Sequence, residues 1–457
     1  MSRLRIVPAG LPEGWGPMVA ALGSFFGWLL AFPLAGPALQ TLPLDTEGTF
    51  WAVLAFTVGH AAGLLLCTVV LKFDRALALL PGVGAGLCAA LSALSPNLPS
   101  EVIVPFFGLL GLLAAPFPVA WGHILATRIP QGWRARTVGF GAFGANVILY
   151  AFNLGLIPAP AAVYVAAASA LAAAGVWLFG LKEPEATRQV RFVIGPSFGR
   201  LQFLALFGFI VSVYAVGGIL YGIIQPYYAN VPGAGDFGLL PYLAGVVFAG
   251  FIADRMGRRP FGVVTPPVLG LAFPIFMVDR ERIAFPVVQV LVMMGFAYAD
   301  VYFWTTLADI GTIYGGIRAF GLGLGVMVGT IGASFGATRI FGGLEPQLQV
   351  LAGGLGVAAL LFAGALGTVV PETLGRVRSV SVPPERLILR LRPYGLTERE
   401  LEVARYLLSG LELEEVSDRL GISRNTLKTH VRSIYRKTGT RSRHELVLRT
   451  LEVEASD

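Results

Sequence analysis

Most of the chain consists of continuously apolar stretches of about 20 residues, separated by short polar or basic connections. A helix of that length crosses the roughly 30 Å hydrocarbon core of a bilayer. Because the stretches are continuously apolar and do not alternate, helices are favoured over a membrane β-barrel. Twelve spans are predicted, near residues 17–40, 48–71, 76–95, 101–127, 136–157, 159–180, 201–225, 237–253, 260–278, 283–308, 314–339 and 347–370.

A different pattern begins near residue 396, where polar segments carry apolar positions at helical spacing. Thr397 and Glu400 have the spacing of a capping box. A second short helix is predicted before Gly421, and Ser423 is predicted to cap a third. Gly421 then supplies the tight turn of a helix-turn-helix. The apolar positions of the first helix are Leu401, Ala404, Leu407 and Leu408.

Composition supports the same division. The chain has 457 residues, is 55% hydrophobic and has a mean hydropathy of +0.72, which lies outside the soluble globular range. Of the first 370 residues 32 are charged, against 29 of the last 87, so the charged fraction rises about fourfold. The net charge of +7 divides into +4 on residues 1–370 and +3 on residues 371–457. Neither part is strongly basic, and any nucleic-acid prediction must depend on pattern.

The chemistry of an enzyme is not indicated. Both cysteines, Cys67 and Cys88, fall inside predicted spans, where a disulfide framework has no role. No constellation of nucleophile, metal ligands or phosphate-binding loop is found in the sequence. We therefore expect no catalytic residue, no metal site and no cofactor.

The basic residues predict an orientation. Twelve spans put both termini on one side, and fifteen of the eighteen Lys and Arg residues before residue 371 fall on that side. By the positive-inside rule, both termini are expected in the cytoplasm. In a bacterium this is the compartment that holds the DNA.

The connection after the eighth span contains a motif with the pattern GxxxDRxGRR. It resembles the signature of the major facilitator superfamily, and Asp74 with Arg75 looks like a degenerate first copy. The resemblance implies two six-helix halves related as parallel repeats, with the motif helping to lock and release alternating-access states. The alternative is that its arginines only anchor the topology. The predicted gating residues are Gly250, Asp254, Arg255, Gly257, Arg258 and Arg259.

Ionisable residues inside spans predict a ligand site, because they are costly in a membrane. Asp300 lies well within a span, whereas Asp309 is expected at the interface. Aromatic side chains near Asp300 would suit a planar or amphipathic small molecule. For the histidine and asparagine positions, which also include His60 and Asn153, hydrogen bonding between helices is the alternative. The candidate ligand residues are Asp300, Tyr298, Tyr302, Trp304, His123, Asn146 and Gln225.

Residues 396–446 resemble the LuxR-type four-helix DNA-binding domain. The motifs that carry the resemblance are L-T-x-R-E from Leu396, R-L-G-I-S from Arg419 and T-L-K-x-H from Thr426. The resemblance implies a third helix that enters the major groove and a dimer through the fourth helix on two half-sites. Leu446, Val447 and Leu451 are the candidate dimer contacts. The candidate DNA contacts are Lys428, Thr429 and Arg432 at base edges, Thr426, His430, Arg436 and Lys437 at phosphates, and also Arg424 and Asn425.

The predicted fold class is all-α: a polytopic bundle of 6+6 helices, similar to the major facilitator superfamily, in residues 1–376, a linker in 377–393 and a LuxR-type domain in 394–457. The predicted function is a membrane-bound regulator of the bacterial inner membrane that couples small-ligand sensing to DNA binding. An active secondary transporter with an attached regulatory domain is the alternative. Expected partners are promoter DNA, the bilayer, an unidentified small ligand and a second copy on DNA, with RNA polymerase a further candidate.

Overall fold

The chain folds into two compact units in a computed structural model. The first contains Met1–Lys182 and Ser197–Gly375, and the second contains Glu183–Pro196 and Arg376–Asp457. The structure describes residues 11–34, 36–71, 74–181, 190–194, 200–219, 231, 237–278, 284–342, 353–354, 356–358, 360–365, 378–382, 384–408, 413–441, 445–446 and 449.

The described part of the first unit is a bundle of α-helices. A helix lies in each of the first eleven predicted spans, and the twelfth span lies largely outside the described residues. The helices are α1 Trp15–Ala31, α2 Thr46–Val70, α3 Asp74–Leu94, α4 Ser100–Ala114, α5 Pro116–Thr127, α6 Gln131–Asn153, α7 Ala162–Gly175, α8 Arg200–Ile219, α9 Leu240–Met256, α10 Arg259–Val278, α11 Ala284–Tyr314 and α12 Gly316–Gly342.

Two predicted spans are interrupted. The fourth divides into α4 and α5 before Pro116, whose missing N–H and fixed φ favour the start of a new helix. The sixth ends in a π-helical turn, Val176–Gly180, after α7. Among the described residues, eight helical segments are long and apolar enough to cross a membrane.

The surface of the bundle is apolar, and several buried indole groups inside it are hydrogen-bonded. Leu66 and Leu204 have exposed fractions of 57% and 67%, which suits contact with lipid. Three indole N–H groups donate to neighbouring helices, since lipid would offer them no acceptor. Trp28 donates to Ser92 Oγ at 2.9 Å, Trp121 to the Met18 carbonyl at 2.8 Å and Trp177 to the Ala78 carbonyl at 3.0 Å.

Helices α1–α7 form an N-terminal half, and α8–α12 belong to a C-terminal half. Across the two halves, α6 packs against α9, and α2 packs against α12. The α6–α9 contact is close: a Cβ on Gly139 would lie 2.5 Å from the Val246 carbonyl oxygen, and one on Gly250 would lie 3.0 Å from the Ala135 carbonyl oxygen. These two glycines therefore allow the halves to approach to backbone contact.

The second unit contains a two-stranded antiparallel ribbon that the sequence pattern did not predict. Strand β1, Val190–Ile194, belongs to the connection between α7 and α8, and β2, Arg378–Val382, follows the membrane bundle in the chain. The strands pair with Phe192 opposite Val380. The connection between the two halves is therefore hydrogen-bonded to the segment that precedes the C-terminal helical domain.

The rest of the second unit is a small helical domain, which we call the head, residues 384–449. Its core contains Leu401, Ala404, Leu407 and Leu408, as the sequence predicts, and the fully buried Leu391. Because Leu391 belongs to the predicted linker, part of that linker is packed in the head. The head helices are α13 Pro384–Leu391, α14 Glu398–Leu408, α15 Leu413–Leu420 and α16 Arg424–Thr438.

Candidate ligand cavity, charged gate and DNA interface

A cavity of about 800 Å³ lies within the first unit, between the N-terminal and C-terminal halves. Its volume is in the range of small-molecule sites. The walls are mostly apolar and aromatic, with a few polar groups from both halves. The polar side chains on the walls are Gln40, Thr57, Asn146 and Asn153 from the N-terminal half and Tyr214, Tyr242, Gln289 and Asp300 from the C-terminal half.

Asp300 is the acidic residue among the described lining residues, and two tyrosines bind its carboxylate. Tyr214 on α8 donates to Oδ1 at 2.8 Å, and Tyr242 on α9 donates to Oδ2 at 2.7 Å. Both tyrosines also line the cavity. One carboxylate on α11 therefore ties three helices of the C-terminal half together and remains on the cavity wall.

Aromatic rings from the two halves meet beside Asp300. Trp304 follows Asp300 by one turn on α11, and its ring packs against Phe26 of α1 with centroids 5.5 Å apart. Trp121 of α5 packs on the same indole at 5.6 Å. This aromatic layer lies between Asp300 and the end of α11 that carries Asp309.

Not every predicted ligand residue reaches the cavity. Asp300, Trp304 and Asn146 line it. The Tyr298 ring packs on Phe261, and the Tyr302 ring packs on Phe209. These two tyrosines are each two residues from Asp300, which turns them about 200° around the helix, whereas Trp304 at i+4 shares the face of Asp300.

The remaining candidate residues also divide into those that line the cavity and those that do not. His123 approaches Gly316 and is not among the described lining residues. His60 is buried, and its Nδ1 lies 3.0 Å from the Gly111 carbonyl oxygen, so it joins α2 to α4. Asn153 lines the cavity, and Gln225 lies outside the described residues.

At the other end of α11, carboxylates of the C-terminal half bind the N-terminal half. We call this end of the bundle the basic end. Asp254 Oδ1 accepts from the Ala135 N–H at 3.0 Å. Its Oδ2 accepts from the Arg136 N–H at 3.0 Å and from Arg136 Nε at 3.1 Å. The predicted motif aspartate therefore fastens α9 to α6.

A second carboxylate completes this closure. Asp309 is buried, with 1% of its surface exposed, and Arg134 of α6 donates to it at 2.7 Å. Arg258, from the turn between α9 and α10, pairs with the other oxygen and also donates to the Thr305 carbonyl at 2.7 Å. Asp309, predicted to lie at the membrane interface, is thus buried in protein between two arginines at the basic end. We call Asp254, Asp309, Arg134, Arg136 and Arg258 the charged gate.

The other motif residues have different positions. Gly250 provides the close α6–α9 approach, and Gly257 ends α9 with φ 95°. Arg255 and Arg259 are exposed. The side chains of Asp74 and Arg75, the degenerate first copy, lie outside the described residues.

The sequence pattern did not predict the partners of Asp300 and Asp309. Tyr214 and Tyr242 are phenolic groups in otherwise apolar spans, and a buried phenolic O–H in a membrane usually donates to an acceptor on another helix. Arg134 was counted only as a topology determinant. The nine-residue separation of Asp300 and Asp309 on one helix places the two carboxylates at different depths of the bundle. This separation is the sequence signal that could have indicated Asp309 as a partner for Arg134, at the end of the bundle that carries the basic residues.

The head presents its predicted DNA contacts on one helix. Ser423 Oγ caps α16 by accepting from the Thr426 N–H at 3.1 Å, and Gly421 has φ 60° in the preceding turn. Leu427 and Ile434 face the core. The opposite side exposes the predicted contacts, with His430 partly buried: Arg424, Asn425, Thr426, Lys428, Thr429, Arg432 and Arg436.

Lys437 differs from the other predicted DNA contacts. Its Nζ donates to Glu400 Oε2 at 2.7 Å and to the Gly395 carbonyl at 3.1 Å. Burial alone would raise the pKa of Glu400, but hydrogen bonds from Lys437, Ser433 and the Thr397 N–H lower it to about 2. The ammonium of Lys437 therefore stabilises the head, and its predicted phosphate contact stays a prediction.

Two further features of the head were predicted. The capping box forms, with Thr397 N–H donating to Glu400 at 2.8 Å and Glu400 N–H donating to Thr397 Oγ1 at 3.2 Å. Among the candidate dimer contacts, Leu446 is fully buried in the core of the head. The Leu446 side chain therefore packs within its own domain. The other two candidates, Val447 and Leu451, lie outside the described residues.

Comparison with known proteins agrees with the two-part architecture. Residues 395–450 match the model of the family described as bacterial regulatory proteins, luxR family. The head is thus a LuxR-type helix-turn-helix domain, as the sequence motifs predicted. No curated protein matches the chain by sequence.

The membrane unit has a major facilitator-like fold. The chain is similar to a bacterial homologue of the iron transporter ferroportin in an outward-facing state with soaked iron, with a TM-score of 0.58, 13% identity and coverage of 79% of this chain and 99% of that one. It is also similar to the proton:xylose symporter XylE bound to 6-bromo-6-deoxy-D-glucose, with a TM-score of 0.52, 13% identity and coverage of 79% and 98%. At these identities the similarity shows the fold alone.

Proposed function

We propose that the protein is a membrane-bound bacterial transcription factor whose membrane unit senses a small ligand and controls DNA binding by the head. One observation carries the proposal: a LuxR-type head shares a chain with a major facilitator-like bundle that holds a ligand-sized cavity. Transcription regulation follows from the head, and the cavity supplies an input site.

The orientation of the charged gate fits this function. The basic residues of the connections favour a cytoplasmic location for the basic end of the bundle and for both termini. In that arrangement the head is in the compartment of the DNA, and the protein resides in the inner membrane. Reporter fusions after Pro371 are expected to be active in the cytoplasm.

The membrane unit acts as a two-state switch. In the described state the gate joins the halves at the basic end through Asp254 and Asp309, whereas the cavity lies toward the opposite ends of the helices. A ligand shifts such an equilibrium only by binding one state more tightly than the other. Because the cavity is formed in the described state, the ligand stabilises that state against one in which the gate is broken.

The β1–β2 ribbon couples the switch to the head. The connection between the two halves carries β1, and β2 precedes α13 of the head in the chain. When one half moves relative to the other, the connection between them changes its path. The paired strands transmit this change to the segment that leads into the head, and so alter its presentation to DNA or its dimerisation.

On DNA, α16 enters the major groove, and two heads occupy two half-sites. Lys428, Thr429 and Arg432 contact base edges, whereas Thr426, His430, Arg436 and Lys437 contact phosphates. RNA polymerase is a further partner in this scheme, since a head held at a promoter is placed to contact it.

Active transport is the second candidate function. The observation that favours it is the complete charged gate, whose breaking and re-formation is what a transporter needs in each cycle. The degenerate first copy of the motif favours the switch. The discriminating experiment compares ligand accumulation in vesicles with ligand-dependent occupancy of operator sites recovered by chromatin immunoprecipitation. Occupancy that responds without accumulation supports the switch, and accumulation with unresponsive occupancy contradicts it.

A further inference from the structure

The cavity of the membrane unit also indicates which class of ligand it accepts. We propose that the cavity binds an organic cation through the carboxylate of Asp300. Such a ligand has one positively charged centre and is otherwise apolar, with aromatic or similarly bulky groups. This inference rests on the proposed function only in calling the cavity the input site. Its own basis is the charge, hydrogen bonding and walls of the cavity.

The wall of the cavity carries a negative charge. Asp300 lies on the wall of a cavity within the apolar bundle, where an uncompensated charge is unfavourable. None of the described residues that line the cavity is a lysine, arginine or histidine. The gate arginines pair instead with Asp254 and Asp309. The cavity therefore has negative charge to offer, and a cation is the complementary occupant.

The hydrogen bonds of Asp300 also suit a cation. Tyr214 and Tyr242 each donate one hydrogen bond to Asp300, and this holds the carboxylate in a fixed orientation. A carboxylate has about four lone-pair positions. The two tyrosines occupy one position on each oxygen, so acceptor capacity remains for a ligand. Because the tyrosines donate their protons to the carboxylate, their hydroxyl oxygens can only accept hydrogen bonds from a ligand, which also suits a cation that carries N–H donors.

The aromatic walls suit a cation as well. Phe26, Phe285, Phe296, Phe335 and Trp304 line the same cavity, together with apolar residues such as Met293. The faces of aromatic rings attract cations, and the attraction is larger when water is excluded. Among the polar side chains of the walls, Thr57, Asn146 and Gln289 already donate to backbone carbonyls, which leaves fewer donors for a sugar or a free amino acid. An apolar body with one cationic centre would satisfy both the walls and Asp300.

The position of Asp300 also links binding to the switch. Asp300 and Asp309 are nine residues apart on α11, or about 14 Å along the helix axis. The aromatic layer of Trp304 and Phe26 lies between them and joins the two halves. A cation held at Asp300 against this layer bridges the halves on the cavity side while the gate bridges them at the basic end.

The test uses two probes of the same shape and opposite charge on the full-length protein in detergent. Saturable binding of tetraphenylphosphonium and of tetraphenylborate is measured for the native protein, Asp300→Asn and Asp300→Glu, with neutral triphenylphosphine oxide as a third probe. Glu101→Gln, which removes an exposed carboxylate from α4, is the matched control. Gel filtration and thermal unfolding verify that each variant is folded. If Asp300→Asn does not fold, the comparison of the cationic, neutral and anionic probes on the native protein and on Asp300→Glu still tests the inference.

We expect tetraphenylphosphonium to bind at least tenfold more tightly than tetraphenylborate, and Asp300→Asn to weaken it at least tenfold. Asp300→Glu should retain most of the affinity, and Glu101→Gln all of it. Equal binding of the cation and the neutral probe, or equal cation binding by the native protein and Asp300→Asn, would overturn the inference. Operator affinity measured in the same samples separates the two proposals. Cation binding through Asp300 without any change at the operator supports the cation site and contradicts the sensing function.

Discussion

Removing the Asp309 carboxylate is expected to open the charged gate. Asp309→Asn keeps the size of the side chain but cancels its charge, and so leaves Arg134 and Arg258 without their common partner. Those arginine side chains are only 5% and 12% exposed. In the described state the variant therefore holds two poorly hydrated guanidinium groups that have lost the negative charge of Asp309.

The size of the effect follows from burial. Removing one partner of a buried ion pair costs about 3–5 kcal/mol, because the remaining charge is uncompensated. If the gate opens, the arginines become hydrated, so most of this cost acts on the equilibrium between the two states. Hydrogen bonding by the asparagine amide recovers a part. A shift of about 3 kcal/mol corresponds to roughly a hundredfold change in the ratio of closed to open gate.

Chemical accessibility at the gate measures this shift. Ala126 has 1% of its surface exposed and lies where its carbonyl accepts from Arg134 and Thr312. In a background with Cys67 and Cys88 replaced by alanine, Ala126→Cys is expected to react slowly with a membrane-impermeant maleimide. Adding Asp309→Asn should accelerate labelling tenfold to a hundredfold and raise the ligand concentration needed for a half-maximal promoter response.

The matched control is Arg255→Gln, which removes an exposed charge from the same motif. It should leave both the labelling rate and the promoter response unchanged. If Asp309→Asn is folded and inserted but labels at the native rate, the gate does not hold the described state, and the reasoning is refuted.

Three further predictions concern the second unit. Lys437→Met is expected to destabilise the head by about 1 kcal/mol at pH 7, because solvent screens a pair whose lysine side chain is 28% exposed, and amide hydrogen exchange in the full-length protein measures the change. The pKa of Glu400 is lowered in the folded head to about 2, so this stability is fully present above the ordinary value near 4.5 and is lost as the pH falls toward 2. Val380→Pro, at the centre of β2, should abolish the response to ligand while operator binding is retained, because proline interrupts the ladder and lies outside the head. Lys428→Ala and Arg432→Ala should each cost roughly 1–3 kcal/mol at the operator and relax its sequence specificity, measured by competition binding.

Neighbouring substitutions provide the controls. Arg436→Met removes an exposed cation beside Lys437 and should leave the stability of the head unchanged. Val380→Thr keeps a β-branched residue in the ribbon and should keep the response. Arg405→Ala, in the exposed part of α14, should not alter sequence specificity. A native phenotype for Lys437→Met, Val380→Pro or the Lys428→Ala Arg432→Ala double variant would contradict the role assigned to the corresponding residue.

The sequence predicted the elements that depend on local pattern. The membrane helices follow from runs of apolar residues, and the capping box of the head follows from the spacing of Thr397 and Glu400. The LuxR-type head follows from motifs that determine both its core and its exposed helix.

What the sequence did not predict depends on contacts between distant segments. Asp309 is far from Arg134 in the chain, so its burial could not be read from the local pattern. The pairing of β1 with β2 joins segments on either side of the C-terminal half. Likewise, the aromatic residues next to Asp300 in sequence point away from the cavity, and its actual partners, Tyr214 and Tyr242, come from two other helices.

A reversible cross-link at the gate tests the central claim most directly. A Cβ on Gly311 would lie 3.2 Å from the Ala126 Cβ, so Ala126→Cys with Gly311→Cys needs a shift of a few tenths of an ångström to form a disulfide between the two halves. Operator affinity is then measured for the oxidised and reduced protein in lipid nanodiscs. We predict that oxidation changes the affinity, that reduction restores it, and that Asp309→Asn shifts the affinity in the direction opposite to oxidation. Complete cross-linking with the same operator affinity in the oxidised, reduced and Asp309→Asn proteins would contradict control of the head by the membrane unit.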